Sequence, residues 1–335
     1  MRPFAFDSPA TAEEAVLAVA GEPSAVFLGG GTNLVDHLKL GIARPARVID
    51  VTGVTPAGIR EEDDGGLVIG AGTRNSDLAA DPRIRERCPV LAEALLSGAS
   101  PQLRNMATVG GNPLQRTRCV YFQDVTTPCN KRSPGSGCSA FGGYTRHHAI
   151  LGASDQCAAT HPSDMAVALM ALDAHVRVVG PAGERVLPFG ELHRSPGEHP
   201  ERDTVLDHGE LITEITLPPV PWSRRSAYRK VRDRASYAFA LVSVAAALSL
   251  SDGRIGDIRV AFGGVAHKPW RASRAEQVLR GARPGDDVFR SAAEAEFTDA
   301  RPLEGIDGGN AFKIPLATRT LTAVLRHLTA EGDAR

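Results

Sequence analysis

Short apolar runs, glycine turns and amphipathic stretches alternate along the first half of the chain, and this rhythm predicts alternating strands and helices. SPATAEEAVLAVA carries apolar residues at helical spacing behind a Ser/Pro start, and SAVFLGG is a short apolar strand that ends in glycine. GTNLVDHLKLG predicts one or two helical turns, and ARVIDVTG another strand. GGLVIGAGTRNSDLAA repeats strand, glycine and helix, PVLAEALLSGAS is an amphipathic helix, and MATVGGNP supplies a second glycine turn. Both parts of this region are expected to place their glycine turn at a strand end.

Further on, HPSDMAVALMALDA predicts a helix with proline near its first turn, and HVRVVGPAGERVLPFGEL predicts two strands joined at PAG. LITEITLPPVP alternates like a half-buried strand and is closed by prolines. Clustered prolines and charges make PPVPWSRRS the linker, after which YRKVRDRASYAFALVSVAAALSL opens a new apolar block. DIRVAFGGVAHKPWRAS and a final helix, TRTLTAVLRHLTAEG, complete an α+β region. Neither a solenoid repeat nor a low-complexity tract interrupts this order.

At 335 residues the chain is long enough for two or three domains, because single cores stop growing at roughly 250 to 300 residues. Its 38 basic and 39 acidic residues leave a formal charge of -1, which gives no general pull toward nucleic acid or an anionic membrane. MRPFAFDSPATAEEAVLAVA lacks the charged and apolar regions of a secretory signal, and no run of about 18 apolar residues occurs. The expectation is a cytoplasmic chain, or a periplasmic one exported together with a signal-bearing partner. Disulfides are disfavoured on those grounds.

Candidate chemistry concentrates in one stretch. Cys119, Cys129, Cys138 and Cys157 lie in a region punctuated by glycine and proline. Such a quartet can hold an iron–sulfur cluster, hold a structural zinc, or form two disulfides. The wide spacing, without paired C-x2-4-C knuckles, favours iron–sulfur over zinc. Cys88 stands apart and reads as a buried apolar thiol. His147, His148 and His161 are near in sequence, but an isolated histidine is more often a satisfied core or surface residue, so none is assigned as a ligand.

FLGGGTNL comprises Phe27, Leu28, Gly29, Gly30, Gly31, Thr32, Asn33 and Leu34. Its three glycines allow close backbone approach to a ligand and a concave array of N–H groups suited to phosphate. It departs from the usual nucleotide fingerprints, since Leu34 stands where G-x-G-x-x-G needs a glycine and no Gly-Lys-Ser/Thr follows. The second turn has the same logic, with Gly110 and Gly111 exposing amides between Thr108 and Asn112. Two such turns in one domain point to a dinucleotide. Asp164 is either an acid at a helix start or an acceptor for sugar hydroxyls. The basic run around YRKVRDRASYA reads as a solvated face, and no catalytic triad, Walker site or other catalytic residue set is present.

FLGGGTNL, IGAGTRNSDLA, SPQLRNMATVGGN, HPSDMAVALMALDA, GELITEITLP and YRKVRDRASYAFALVSVA, in this order, strongly resemble the FAD-binding subunit of the xanthine dehydrogenase and molybdenum hydroxylase family. The resemblance spans nearly the whole chain. The cysteine-bearing insert after VGGN is similar to that in flavin subunits of bacterial periplasmic aldehyde oxidoreductases, where it holds an additional [4Fe-4S] cluster. A related insert occurs in 4-hydroxybenzoyl-CoA reductase. The resemblance thus implies cluster ligation by Cys119, Cys129, Cys138 and Cys157. It also implies that Phe27–Leu34 and Thr108–Asn112 cradle the FAD diphosphate, that Asp164 bonds sugar or ribityl hydroxyls, and that Ile212 lies against the isoalloxazine. Lys230 would stand near the flavin as a fixed positive charge, with Arg229 as the neighbour open to the same role.

The implied fold class is α+β. A two-subdomain FAD domain like that of para-cresol methylhydroxylase would span 1–220, divided at about residue 55, with the insert at about 114–158. A domain like the C-terminal domain of the carbon monoxide dehydrogenase flavoprotein would follow at 225–330. The implied function is electron transfer within a heterotrimer. A molybdopterin-binding large subunit would oxidise an aldehyde, a [2Fe-2S] small subunit would pass electrons on, and FAD here would deliver them to an external acceptor. The rival readings are a self-sufficient FAD oxidase or reductase and a zinc-braced scaffold without enzymatic function.

Overall fold

The structure, a computed structural model, describes residues 1–330 apart from the side chain of Pro221. Three sheets organise it. The first is parallel, with β1 (Ala5–Asp7), β2 (Ala25–Leu28) and β3 (Arg47–Asp50) in the order β1-β3-β2. Helix Ala12–Ala20 makes the crossover from β1 to β2. The Thr11 hydroxyl caps it by accepting from the Glu14 N–H, and Ala15, Val16 and Val19 pack against Ala25 and Ile49. GTNLVDHLKLG yields helix Leu34–Leu40, ended by Gly41 at φ 72°.

The second sheet is antiparallel, with β4 (Ile59–Glu61), β5 (Leu67–Gly70), β6 (His175–Gly180), β7 (Gly183–Pro188) and β8 (Leu211–Leu217) in the order β4-β5-β8-β6-β7. β1 and β4 were not expected from the sequence, since each is only three residues long. The expected position of the second glycine turn is corrected. It follows the helical turn Pro101–Arg104 rather than a strand, and Thr108 meets Arg74 in an isolated bridge.

The third sheet runs β12-β11-β10-β9, all antiparallel, from β9 (Ser226–Val231), β10 (Val242–Ser251), β11 (Arg254–Gly263) and β12 (Trp270–Arg271). Side-chain alternation divides its two faces between two cores. Tyr228, Ala245 and Ala261 face the core of the second sheet. Ala227, Val244, Ala246, Val260 and Phe262 face the C-terminal helices Ser273–Leu279, Asp286–Glu296 and Lys313–Ala330.

Helix Asp164–Ala171 lies between these layers and is buried along its whole length, which explains why it is apolar all round. Ser163 caps it, its hydroxyl accepting from the Ala166 N–H at 2.9 Å. The small residues Ala245 and Ala261 leave room for this helix against the sheet. The linker PPVPWSRRS forms a single 3-10 turn, Pro221–Arg224. The last helix starts at Lys313, five residues before the predicted start at Thr318, while Glu331 and Gly332 of that prediction lie outside the described residues.

Lys313 is fully buried at the start of that helix, and its ammonium donates to the carbonyls of His148 at 2.8 Å and Gly264 at 2.7 Å. Asn310 donates to the same His148 carbonyl at 3.1 Å. The C-terminal helix thereby holds the end of the cysteine insert. Burial pulls the Lys313 pKa down to about 7 from its ordinary 10.5. Between those values the unfolded chain binds more protons than the folded one, so stability rises with pH across this window. The excess stability of wild type over Lys313→Met, from urea unfolding, is therefore expected to grow between pH 7 and pH 9. A constant difference would refute the shift.

Candidate functional site

The two glycine turns meet, and their glycines are what allows it. A Cβ on Gly30 would lie 1.9 Å from the Met106 carbonyl oxygen, and one on Gly29 would lie 2.9 Å from Thr108 Oγ1. A Cβ on Gly110 would stand 2.7 Å from that of Ala71, and Gly31 adopts φ 72°. Much of the glycine requirement thus comes from the packing of one loop on the other. Together the loops form part of the lining of a cleft of about 1070 Å³, slightly above the usual range of about 300–1,000 Å³ for ligand sites.

The residues expected to touch FAD line this one cleft, apart from Val109, which is buried in the core of the second sheet. Phe27–Leu34 and Thr108, Gly110, Gly111 and Asn112 come from the loops, Asp164 from the buried helix, Ile212 from β8 and Lys230 from β9. Several buried polar atoms on residues that line the cleft lack a hydrogen-bond partner, among them Asn33 Nδ2 and Asn75 Oδ1. An orphaned buried donor and acceptor in a cleft lined by both glycine loops suit a polar ligand with groups of both kinds. The other end of the Asn33 amide is occupied, its Oδ1 accepting from the Arg116 N–H at 3.1 Å.

Elsewhere in the lining, Lys230 Nζ donates to Asp164 Oδ2 at 2.8 Å and to the Ser97 carbonyl at 3.2 Å. The Tyr228 hydroxyl donates to Asp164 Oδ1 at 2.5 Å. The side chains of Lys230 and Asp164 are 3% and 8% exposed, so little solvent screens the pair. Burial, then the neighbouring Asp164 charge, pushes the Tyr228 pKa well up, which keeps it a donor. Two expectations change here. Asp164 already has a partner on each oxygen, and the Lys230 charge is offset by a carboxylate instead of standing alone. Arg229 is exposed, because strand alternation turns it to the face opposite Lys230.

The insert contains little regular structure, yet a polar network brings its cysteines together. Cys129 and Cys138 pair across a short antiparallel bridge, with Asn130 N–H donating to the Gly137 carbonyl at 2.7 Å. Arg132 donates to the Tyr121 and Phe122 carbonyls at 2.7 and 2.9 Å, fastening this bridge to the turn that follows Cys119. Asn130 Nδ2 donates to Gln156 Oε1 at 2.9 Å, fastening it to the Ser154–Cys157 turn. All four cysteines are free and line one small cavity together with Lys131 and His148.

Burial pushes the thiols of Cys119 and Cys157 up to about 12 and about 11, so their thiolates need a cation close by. Among the described residues, no three His, Cys, Asp or Glu side chains form a group that could hold a metal ion. Cys88 is the buried thiol expected, donating to Ser223 Oγ at 3.7 Å far from this cavity in the fold.

The sequence reading did not assign Asn75, Ser243, Arg116 or His148, all of which line the cleft. Ser243 pairs across the strands with Lys230, and a lone serine in the apolar run ALVSVAAAL was the available signal. Arg116 joins the start of the insert to Asp203 at 2.7 Å, a contact across 87 positions that no local pattern encodes. His148 looks like an isolated histidine in the sequence. Its Nε2 in fact stands 3.1 Å from Cys119 Sγ.

Residues 2–220 match the family described as FAD binding domain in molybdopterin dehydrogenase, and residues 226–328 match CO dehydrogenase flavoprotein C-terminal domain. The chain is 49% identical to the aldehyde oxidoreductase FAD-binding subunit PaoB of Escherichia coli K12, over 99% of this chain and 100% of that one. It is 27% identical to the carbon monoxide dehydrogenase medium chain of Hydrogenophaga pseudoflava, over 96% of both. A solved structure of carbon monoxide dehydrogenase from that organism superposes with a TM-score of 0.75, at 27% identity, covering 98% of this chain and 99% of that one. The fold class expected from the sequence, α+β with these two parts in this order, is the one found.

Asp164→Ala would leave the Lys230 ammonium buried without its carboxylate. The expected cost is about 3–5 kcal/mol in urea unfolding, with part of it recovered in the double variant Asp164→Ala, Lys230→Met. Strict additivity of the two single variants would show that the pair is not coupled.

Proposed function

The chain belongs to the family of FAD-binding subunits of molybdenum hydroxylases, and on that basis we propose that it is the electron-transfer subunit of a molybdenum-dependent aldehyde oxidoreductase, holding FAD and a [4Fe-4S] cluster. It is an oxidoreductase subunit, related throughout its length to an aldehyde oxidoreductase flavin subunit. One observation carries the site reading: both glycine loops, Ile212, Asp164 and Lys230, distant in sequence, face a single cleft with orphaned polar atoms in it.

In this reading Phe27–Leu34 and Thr108–Asn112 hold the diphosphate of FAD, and Ile212 and Lys230 lie toward its ring system. FAD supplies the step that gathers electrons arriving from one-electron centres and passes them to an external acceptor. The chain's residues do the placing. The glycine loops present amides, and Asn33 and Asn75 offer an unused donor and acceptor. The Lys230 ammonium uses two of its three N–H donors in hydrogen bonds to Asp164 and Ser97, which leaves one for the ligand. Asp164 orients that ammonium and tempers its charge. No residue is assigned a catalytic role toward the aldehyde.

Cys119, Cys129, Cys138 and Cys157 are proposed as the cluster ligands. Their convergence on one cavity suits an iron core bound by thiolates, and the Lys131 side chain buried at that cavity suits the net negative charge of such an assembly. We further assign the FAD domain to 1–220, with subdomains divided near residue 55 and the insert at about 114–158, and the C-terminal domain to 225–330. The proposed partners are a molybdopterin-binding large subunit and a [2Fe-2S] small subunit.

Anaerobically purified chain, coexpressed with its partners where needed, is expected to carry about one FAD and, as for a cubane cluster, about four irons. Cys129→Ser should lose iron and keep FAD, while unchanged iron would remove this cysteine from the ligand set. Flavin with zinc in place of iron would turn the insert into a structural brace, and absence of flavin would overturn the reading. In the assembled complex, aldehyde should bleach the flavin absorbance anaerobically. The same bleaching in the isolated chain would favour a self-sufficient oxidase. Gly30→Ala, which forces the two loops apart, should lower FAD occupancy at least several-fold; full occupancy would show that the loop contact is dispensable.

A further inference from the structure

The cysteine cavity and the cleft are not separate. Thr117, Cys119 and His148 line both, so these three residues form the partition between them. Within it, His148 Nε2 lies 3.1 Å from Cys119 Sγ, while His148 Nδ1 is buried without a hydrogen-bond partner. His148 as a whole is 3% exposed, so its ring is held away from water. Its backbone is fixed from the other side, where Lys313 and Asn310 both donate to the His148 carbonyl, at 2.8 and 3.1 Å. The imidazole is therefore set in place by the C-terminal domain and aimed at one sulfur of the four.

We propose that His148 is a positioning residue that donates a hydrogen bond from Nε2–H to the Cys119 sulfur and thereby raises the reduction potential of the cluster held there. The inference rests on the assignment of the four cysteines as cluster ligands. A thiolate sulfur bound to iron carries negative charge and has no proton to give, so only donation from Nε2 makes the 3.1 Å contact attractive. Placing the ring proton on Nδ1 would instead bury an unmatched N–H beside an electron-rich sulfur. Donation to a ligating sulfur stabilises the more negative, reduced state of a cluster over the oxidised one. Because the same ring forms part of the cleft wall, the residue that adjusts the cluster also borders the flavin site.

The test compares wild type with His148→Phe, which fills the space without a donor, and His148→Gln, which restores an N–H donor. All are prepared anaerobically in the complete complex, with far-UV circular dichroism as the control for folding. Iron per chain and a dithionite titration followed by electron paramagnetic resonance are the readouts. The expected result is that all three retain the cluster, that His148→Phe shifts its potential to more negative values, and that His148→Gln recovers most of the shift. Loss of iron in His148→Phe alone would also support the donor role. An unchanged potential in His148→Phe with iron intact overturns the proposal, as does a shift in His148→Gln as large as in His148→Phe. Loss of iron in both variants would make the imidazole a ligand and overturn it too. Wild-type protein with FAD but no iron would reject the cysteine assignment itself, an outcome distinct from all of these.

Discussion

The contact between Asp164 and Lys230 joins the two parts of the chain at the place where the cleft is formed. Asp164 stands on a helix buried between sheets, and Lys230 on the edge strand β9 of the third sheet. Separated by 66 positions, they meet at 2.8 Å with almost no exposure. A buried ion pair of this kind is a poor source of net stability but is costly to break, because either charge left alone in the interior is unsolvated. It therefore fixes where the third sheet lies relative to the buried helix. The Tyr228 hydroxyl donates to the second carboxylate oxygen and the Ser97 carbonyl accepts a second hydrogen bond from the ammonium, so one arrangement engages both carboxylate oxygens and leaves a single ammonium N–H toward the cleft.

From that fixed wall the rest of the site follows by packing. The glycine loops approach each other closely enough that side chains at Gly29 or Gly30 would collide with the facing loop. The insert grows out of the second loop and is held by charged and amide side chains at its start, middle and end: Arg116 to Asp203, Asn130 to Gln156, and Lys313 to the His148 carbonyl. Irregular backbone buried in this way needs its polar groups satisfied by side chains, since no helix or sheet ladder does so. The density of Arg, Asn and Lys in RCVYFQDVTTPCNKRSPGSGC meets that need.

Elements with a strong period were legible in the sequence. HPSDMAVALMALDA, HVRVVGPAGERVLP and LITEITLPP became a helix and three strands at their expected places, because apolar periodicity and proline boundaries are local signals. The glycine loops were legible as close-approach turns, although part of their purpose is contact with each other. What could not be read were long-range partners. Nothing near Asp164 announces that Tyr228 and Lys230 will occupy its carboxylate. Likewise, nothing in RHHAI distinguishes His148, which reaches Cys119, from its neighbour His147, which lies 3.8 Å from Asp233. Strand alternation could have separated Lys230 from Arg229, had the depth of β9 been known.

The central claim is that one ligand site is built jointly by both parts of the chain. Hydrogen–deuterium exchange on FAD-depleted protein, with and without added FAD, tests it most directly. The account predicts that FAD protects residues 27–34, residues 107–112 and β9, residues 226–231, together and with the same dependence on FAD concentration. Protection confined to the glycine loops, with β9 unaffected, would contradict it.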